Sequence, residues 1–342
     1  MHRHLINLTS DTLTKPTPAM LDAMMTAEVG DDVFGQDPTV NALEKKMADM
    51  FGHEAALYCP SGTMTNQIAI KAQTQPLDEI ICDELFHIYR YELGGYGFHS
   101  GVSMHLTRGN RGIMSPQMVH DAVKPKADWN PNSRMLIIEN SINMGGGNYY
   151  TIEEINALVA MARHHKLKTH LDGARLFNVL VETGDTPKEY GRLFDSISIC
   201  LSKGLGAPVG SVLISDKETI SYARKVRKVM GGGMRQSGYL AAACIYALDH
   251  HIDRLRDDHR RARACAAKLE SVSWVSEVFP VATNILIFKV AEHLKVTDVV
   301  SALRARNIEC LAITDRLIRW VFHLDIHDDM VSQILELPDL LV

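Results

Sequence analysis

Two polar residues each follow an apolar, strand-like stretch of the sequence and could act on one cofactor. Asp172 comes after the run 168–171, and Lys203 comes soon after the run 196–201. A lysine amine can hold an aldehyde as a Schiff base, and a carboxylate can keep a pyridine nitrogen protonated so that the ring accepts electrons. Few other chemistries require both groups. The pair therefore predicts a pyridoxal phosphate site.

A third segment offers a place for the phosphate of such a cofactor. The run Pro60-Ser61-Gly62-Thr63 follows a strand-like stretch and opens a helix-like one. It supplies hydroxyls and unpaired backbone N–H groups at the helix end whose dipole favours anions. Taken alone, Ser-Gly-Thr is more often a simple helix N-cap, but the lysine and the aspartate favour a phosphate site. The segment lacks the Gly-Lys-Ser/Thr ending of a Walker A motif.

Both members of the opening pair also have ordinary explanations. Most lysines are solvated surface charges, and Asp172 could cap a helix over residues 174–178. A lysine just after an apolar strand would instead lie at the inner edge of a sheet, where it must be desolvated, paired or covalently used. A buried carboxylate likewise needs a partner, and a pyridinium supplies one.

The elements that must position these residues alternate between strand and helix. Helix-like segments separate most of the β-rich runs, which cover residues 55–59, 79–82, 135–139, 168–171, 196–201 and 210–214. This alternation predicts an α/β fold with a mostly parallel central sheet flanked by helices. Ligands of such sheets gather at the carboxyl edge of the strands, so we expect Asp172 and Lys203 to meet there.

The composition of the chain changes near residue 250. Helical, Ala-rich sequence from residue 239 becomes strongly charged through residues 253–260, and beyond it lie strand-like runs at 284–290 and 318–323 and a helix-like run at 296–306. This is the content of a small α+β domain. We therefore predict an N-terminal arm (1–20), a large cofactor-binding domain (21–250) and a smaller C-terminal domain (251–342).

The overall composition is that of an ordinary globular protein. The 342 residues are 46% hydrophobic and 23% charged, with a net charge of -5 that gives no reason to expect a nucleic-acid partner. No stretch reaches membrane-spanning length without charges, so no membrane partner is expected. Six scattered cysteines without a Cys-x-x-Cys pair favour reduced thiols in the cytoplasm and no metal site. The basic run 224–228 and the pairs His164-His165 and His250-His251 are expected on the surface.

Considered together, the motifs of the chain resemble those of the low-specificity L-threonine aldolases. They occur in family order between about residues 8 and 323: Ser10-Asp11-Thr12, the run 30–39, Ser61-Gly62-Thr63-Met64, Asp172-Gly173-Ala174-Arg175, the run 200–210 and the run 231–236. The resemblance implies the fold-type-I, aspartate-aminotransferase-like fold of pyridoxal-phosphate-dependent enzymes. It also implies a homotetramer built as a dimer of dimers, with sites at the dimer interface.

The resemblance further implies a role for individual residues at the cofactor. Lys203 would form the Schiff base, Asp172 would pair with the ring nitrogen, and His87 would stack on the ring. Ser61, Gly62 and Thr63 would hold the phosphate, Arg235 would reach a phosphate across a subunit interface, and Ser202 and Arg175 would complete the cofactor contacts. Ser10, Arg175 and Arg319 would bind the substrate α-carboxylate, because a planar guanidinium can grip a carboxylate with two hydrogen bonds.

Two positions depart from the family pattern. Where the family has a histidine in Glu-Asn-Thr-His-Asn, this chain has Ile142, and Trp129 occupies the place of a family histidine that lies near the substrate β-hydroxyl. His87 is therefore our hypothesis for the base or a group that orients it.

The activity implied is retro-aldol cleavage of L-threonine, L-allo-threonine or a related β-hydroxy-α-amino acid to glycine and an aldehyde. Racemisation, β-elimination or transamination on the same scaffold is the alternative, since fold does not fix reaction. A cofactor-free regulator with this fold is a second alternative, although the chain has no appended helix-turn-helix or basic arm.

Overall fold

The structure of the chain is a computed structural model that describes residues 5–339. Residues 1–4 of the predicted arm and 340–342 of the predicted C-terminal domain lie outside the described residues. The strands are β1 Ile6–Asn7, β2 Ala55–Cys59, β3 Asp78–Asp83, β4 Ser103–Thr107, β5 Asn132–Glu139, β6 Lys168–Asp172, β7 Ser196–Cys200, β8 Ser211–Ser215, β9 Val275–Val278, β10 Ile285–Val290, β11 Ile308–Glu309, β12 Leu311–Ala312 and β13 Leu317–Val321.

The α-helices of the described residues connect these strands. They are α1 Pro18–Met25, α2 Pro38–Phe51, α3 Gly62–Gln73, α4 His87–Arg90, α5 Gly95–Ser100, α6 Pro116–Ala122, α7 Ile152–His164, α8 Leu176–Thr183, α9 Pro187–Gly191, α10 Lys217–Val229, α11 Gly238–His250, α12 Leu255–Leu269, α13 Val296–Arg304 and α14 Asp328–Leu335. Within residues 5–339, none of them combines the length and apolar character needed to cross a membrane.

Seven strands form the central sheet, in the order β2-β8-β7-β6-β5-β3-β4. The strands β7, β6, β5, β3 and β4 run parallel, whereas β8 is antiparallel to both of its neighbours. β2 therefore points the same way as β7, and the carboxyl ends of six strands share one edge. The mostly parallel sheet that the sequence predicts is confirmed.

Both faces of the sheet are apolar and covered by helices. On β2 and β8, Leu57 and Leu213 belong to one buried cluster with residues of α3 and α10, whereas the next residues, Tyr58 and Ile214, belong to the main core. Successive side chains of a strand point to opposite faces, so alternation between two cores shows that neither face is open to water.

Local sequence sets where the helices begin. Asp37 caps α2 by accepting hydrogen bonds from the backbone N–H groups of Thr39 and Val40, and Ser61 caps α3 in the same way through Met64. Thr151 and Glu154 form a reciprocal capping box at the start of α7. These side chains satisfy N–H groups that a helix leaves unpaired, which fixes the residue at which each helix starts.

A smaller unit with its own core follows the large one in the sequence. Its antiparallel sheet has the order β12-β13-β10-β9, and its core surrounds Trp274, Phe288 and Trp320. The N-terminal segment joins this unit, because β1 pairs in parallel with β11. Leu255 at the start of α12 belongs to the main core, whereas Cys265 further along belongs to the smaller one. These two cores support our proposal of a domain boundary near residue 250.

Residues of the N-terminal segment stabilise the smaller unit, and this can be tested. Ile6 is fully buried in the core of that unit, whereas its neighbour Leu5 is 57% exposed. We expect Ile6→Ala to lower the free energy of unfolding by about 2–5 kcal/mol, since it leaves a cavity. The control Leu5→Ala should change it by less than about 0.5 kcal/mol. Urea unfolding measures both, and equal effects would contradict the assignment.

Candidate active site

The two residues on which the sequence argument opened lie at the carboxyl edge of the central sheet. Asp172 ends β6 opposite Ser198 of the neighbouring β7, and Lys203 lies three residues beyond the end of β7. Lys203 is half-buried and lines a small cleft with Ala174, Arg175 and Cys200. Its positive charge adds to the larger effect of Arg175 in lowering the pKa of Asp11, and it partly opposes the rise in the pKa of His87. The predicted lysine therefore lies within electrostatic range of the other site residues.

The N-terminus of α3 lies at the same edge. Ser61 accepts a hydrogen bond from the Met64 N–H, while the exposed side chain of Thr63 faces solvent. Gly62 lies so close to the end of β7 that any side chain at this position would collide with the sulfur of Cys200. The first N–H groups of a helix have no partner within it, so this tight turn presents donors to an anion. Ser202 is half-buried in the loop that leads to Lys203.

Asp172 is buried and held by two donors. Its Oδ2 accepts a hydrogen bond from the Asn66 amide at 2.8 Å, and its Oδ1 accepts one from the Ala174 N–H at 3.1 Å. The second of these closes a local turn and does not cap a helix over 174–178, because α8 begins at Leu176 and Arg175 is in its N-cap position. No ion pair joins Asp172 to a side chain in residues 5–339. A buried carboxylate of this kind favours a cationic partner from a ligand.

His87 lies beside Asp172 and contacts a second buried acid. Its Nδ1 is 3.0 Å from Oε1 of Glu92, and its ring centroid is 5.5 Å from that of Tyr91. Burial lowers the pKa of His87, but the hydrogen bond to Glu92 and the charge of Asp172 outweigh it, so the pKa is raised. About a third of the His87 side chain remains exposed, 32%. The ring can therefore contact a ligand.

Ligand atoms of His87, Glu92 and Asp172 lie within 4.8 Å of one another, a spacing that metal sites also show. The Asn66 amide explains this proximity, because it donates one hydrogen bond to each of the two carboxylates. We therefore assign the cluster to hydrogen bonding and place no metal there.

Glu139, at the end of β5, fixes the backbone around the site. It accepts hydrogen bonds from the N–H groups of His87 and Asn143, and it lies opposite Asp172 in the sheet register. Burial, and then the negative charge of Asp172, raise the pKa of its carboxyl group. Glu139 thus connects the start of α4 with the loop that follows β5.

Arg175 makes a two-pronged ion pair with Asp11. Its Nε donates to one carboxylate oxygen at 2.8 Å and its Nη2 to the other at 2.6 Å, and both side chains are buried. Burial alone would raise the pKa of Asp11, but the Arg175 guanidinium outweighs it and lowers the pKa to about 2. The pair fixes Arg175 against the 3-10 turn Asp11–Leu13.

Arg319, on β13 of the smaller unit, lies within electrostatic range of both Arg175 and Asp11. Its Nη1 donates to Asn143 at 2.8 Å and its Nη2 to the Thr9 carbonyl at 3.1 Å, and its buried Nε has no hydrogen-bond partner in residues 5–339. Burial and then the charge of Arg175 lower its pKa. Asp11 is thus paired with Arg175, whereas Arg319 forms no ion pair in residues 5–339 and offers its positive charge to an anionic ligand.

Four other residues named from the sequence have different surroundings. Ser10 caps the 3-10 turn and accepts hydrogen bonds from Thr12. Arg235 lies on the surface, where it donates to Asp31. Trp129 is 86% exposed in the turn before β5, and the buried Ile142 packs against Gly112 and Gly145. In the described chain, neither departure from the family pattern contributes a side chain to the edge around Asp172.

Two surface predictions are wrong in part. Arg227, within the basic run, is buried because it forms an ion pair with Asp32 and donates to the Tyr58 carbonyl. His251 is also buried, and its Nδ1 donates to the Leu205 carbonyl at 2.7 Å. This contact helps to hold the loop that carries Lys203.

Sequence reasoning missed four residues of the site, Asp11, Asn66, Glu92 and Glu139. Asp11 and Glu92 did carry a signal, because each lies within five residues of a named site residue, Ser10 or His87. Asn66 lies one turn after the Ser-Gly-Thr segment. The pairing of Asp11 with Arg175 spans 164 positions, and no local spacing predicts it.

Comparison with known proteins covers almost the whole chain. Residues 7–293 match the family model described as beta-eliminating lyase. The low specificity L-threonine aldolase of Escherichia coli (strain K12) is 38% identical over 96% of this chain and 97% of its own length. The low-specificity L-threonine aldolase 1 of Arabidopsis thaliana is 39% identical over 85% and 83%. The structure of Leishmania major threonine aldolase matches with a TM-score of 0.84 at 21% identity, over 97% of this chain and 98% of that one, which confirms the predicted fold.

The ion pair between Asp11 and Arg175 predicts a particular dependence of stability on pH. Because the folded-state pKa of Asp11 is about 2 and its ordinary value is 3.8, the pair stabilises the fold above about pH 4 and loses this contribution as the pH falls towards 2. We expect the difference in unfolding free energy between the wild type and Asp11→Asn to narrow by about 1 kcal/mol from pH 7 to pH 3. Urea titrations at both pH values measure it. A constant difference would show that the Asp11 pKa is not depressed.

Proposed function

Because the chain belongs to the beta-eliminating lyase family and, within it, to the low-specificity L-threonine aldolases, we propose that it cleaves L-threonine, L-allo-threonine or a related β-hydroxy-α-amino acid. The products are glycine and an aldehyde, and the enzyme is a carbon–carbon lyase dependent on pyridoxal phosphate. One observation carries the proposal: Arg319, a buried cation without an acidic partner in residues 5–339, lies within electrostatic range of Arg175, and Arg175 lines the cleft that contains Lys203. An amino acid carboxylate suits this surplus positive charge.

The residues at the sheet edge fit the cofactor. Lys203 would hold its aldehyde, Asp172 its ring nitrogen, the start of α3 its phosphate, and His87 one face of its ring. The fit rests on the buried carboxylate of Asp172, which has hydrogen-bond donors but no cationic partner in residues 5–339, and on the close packing of Gly62 against Cys200, which leaves no room for a side chain at the start of α3. Ser61, Thr63, Ser202, Arg175 and Arg235 are the further cofactor contacts that we propose. When bound, pyridoxal phosphate withdraws electrons from Cα of the amino acid.

The chain's own residues decide how the substrate lies in the site. Arg175 and Arg319 would bind the α-carboxylate together with Ser10, and Asp11 holds Arg175 in place. With the carboxylate fixed, the direction in which the Cα–Cβ bond points is fixed as well. These contacts therefore select which bond breaks as well as which substrate binds.

His87 is the residue that we propose as the base. Its Nδ1 is committed to Glu92, so its Nε2 is available to accept the proton of the β-hydroxyl group. Loss of this proton allows the Cα–Cβ bond to break, which releases the aldehyde, and a proton added to Cα then gives glycine. Neither of the two positions that depart from the family pattern competes with His87, because Ile142 is buried in the core and Trp129 lies in an exposed turn.

We also propose that the protein is a cytoplasmic homotetramer. The six cysteines are free and buried, which fits a reducing compartment. Large apolar side chains stay exposed on the single chain, including Phe34, Leu93, Phe98 and Val229 at 71–98%. Exposure on this scale favours contacts with further copies. Arg235 lies 5.8 Å from the Phe34 ring, on a surface of this kind.

Replacement of the lysine tests the reaction. We expect Lys203→Ala to abolish both aldehyde release and the cofactor adduct that borohydride traps, since no other amine would hold the aldehyde. The control is Lys45→Ala, which removes a lysine that is 75% exposed and paired with Asp49 on the surface. Full turnover by Lys203→Ala would refute the role of this residue.

Product analysis then separates the aldolase from its alternatives. Threonine, allo-threonine, phenylserine and alanine are incubated with the wild type, and the products are assayed for aldehyde, glycine, keto acid and inverted alanine. Aldehyde and glycine in equal amounts are expected. Keto acid without aldehyde would indicate elimination or transamination in place of aldol cleavage. Inverted alanine without aldehyde would indicate racemisation.

The carboxylate site is tested separately. We expect Arg319→Gln to raise KM for the amino acid by about 10- to 100-fold, since charge-assisted hydrogen bonds are lost, with cofactor content unchanged. Arg316→Gln, at a half-buried arginine just before β13, is the control and should leave KM unchanged. Steady-state kinetics and the cofactor absorbance measure the two quantities. An unchanged KM in Arg319→Gln would place the carboxylate elsewhere.

A further inference from the structure

We propose that Glu92 is a positioning residue for His87, and that Asn66 joins Glu92 to Asp172 in one hydrogen-bonded unit that sets the tautomer and charge of the histidine. The inference rests on the proposed aldolase function, because it treats His87 as the base. Besides His87, at the start of α4, it concerns three side chains: Glu92 after α4, Asn66 on α3 and Asp172 at the end of β6.

Glu92 is the acid that contacts the His87 ring. Its side chain is fully buried and accepts three hydrogen bonds: from Asn66 at 2.9 Å, from His87 at 3.0 Å and from Gln67 at 2.6 Å. A carboxylate with three donors is an acceptor at both oxygens. His87 must therefore carry a proton on Nδ1, and its Nε2 faces away from Glu92.

The orientation of Asn66 is fixed from its other end. Its two amide protons reach Glu92 and Asp172, and its Oδ1 is 3.1 Å from Nε2 of His170. Nδ1 of His170 lies 2.7 Å from the hydroxyl of Ser196, which can donate to it. Burial lowers the pKa of His170 to about 4, so this ring is neutral and donates through Nε2. Asn66 consequently cannot exchange its amide ends without losing three hydrogen bonds.

The charged groups around His87 come from several elements. Glu92 follows α4, Asp172 ends β6, Lys203 lies beyond β7, and Glu139 at the end of β5 binds the His87 backbone. Tyr91 packs against the ring. Only Glu92, among the acids of residues 5–339, bonds directly to the imidazole. It should therefore control the proton on the ring, as an orienting carboxylate does for a catalytic histidine.

The variant Glu92→Gln removes the charge with little change in shape. The new amide oxygen can still accept from His87 and Asn66. Its NH₂ group would face Gln67, whose Oε1 is buried and has no partner in the described residues. Gln67 can turn its amide so that this oxygen accepts the new hydrogen bond. The variant therefore isolates the charge of Glu92 from its packing.

Two measurements test the proposal on the holoenzyme and on the cofactor-free protein. We expect the acid limb of the pH profile of kcat/KM to move to lower pH by about one unit, because the imidazolium loses its anionic partner. We also expect kcat to fall about 10-fold or more. In the cofactor-free protein, the titration midpoint of the ¹³C-labelled His87 Cε1 resonance, assigned with His87→Asn, should fall in the same direction.

The control is Glu182→Gln, which removes the acid of a second His–Glu contact, with Nδ1 of His259 at 2.7 Å. In residues 5–339, Glu182 makes no hydrogen bond or ion pair with His87, Glu92 or Asn66. It should leave the profile and the His87 midpoint unchanged. A lower kcat in Glu92→Gln with an unmoved acid limb and an unmoved midpoint would overturn the proposal and leave Glu92 a structural residue. If the wild type releases no aldehyde, the proposed function fails, and the His87 midpoint alone decides whether Glu92 sets its charge.

Discussion

The burial of negative charge at one edge of a sheet is the constraint on which the site depends. Four carboxylates lie out of contact with bulk water, those of Asp11, Glu92, Glu139 and Asp172. Each is stabilised by its own hydrogen-bond or ion-pair partners. Asp11 has a guanidinium, Glu92 has three side-chain donors, and Glu139 has two backbone N–H groups. A buried carboxylate without such partners costs several kcal/mol. Asp172 has two donors and no cation in the described chain, and we propose that a cationic ring nitrogen of the bound cofactor is its partner.

Helix α3 connects these buried carboxylates to strands β6 and β7 by side-chain hydrogen bonds. Its first residues form the turn that we propose as the phosphate site. Its inner face is polar where it crosses β6 and β7: Asn66 bonds to His170 and Asp172, and Gln73 bonds to Ser196. An apolar contact would tolerate a small rotation of the helix, whereas a hydrogen-bonded one does not. These hydrogen bonds therefore fix the position of the turn at the start of α3 relative to the carboxylate of Asp172. This explains why β6 and β7 carry polar residues in strands that are buried on both faces.

Sequence reasoning could locate the strands and the chemistry but not the partners. The β-rich runs match β2, β3 and β5–β8 within a few residues, because apolar periodicity and turn residues are local properties. The strand Ser103–Thr107 was missed, since its side chains are mostly half-exposed at the edge of the sheet and alternate only weakly. Lys203 and Asp172 stood out because each follows a strand. Asp11 and Asn66 did not, because their partners come from distant segments and are set by tertiary packing.

The position of Ile142 shows how this chain can lack a family histidine without loss of the site. The loop after β5 is held by contacts that do not involve the Ile142 side chain: Arg319 bonds to Asn143, Thr283 to the Gly147 carbonyl and Arg111 to the Gly145 carbonyl. Ile142 fills the space between Gly112 and Gly145, so its apolar side chain strengthens the packing that a polar ring would weaken. The loop therefore still places Asn143 where it binds Arg319, the residue that we propose for the substrate carboxylate. With isoleucine in place of the family histidine, we propose that the proton chemistry falls to His87 and to Glu92, which orients it.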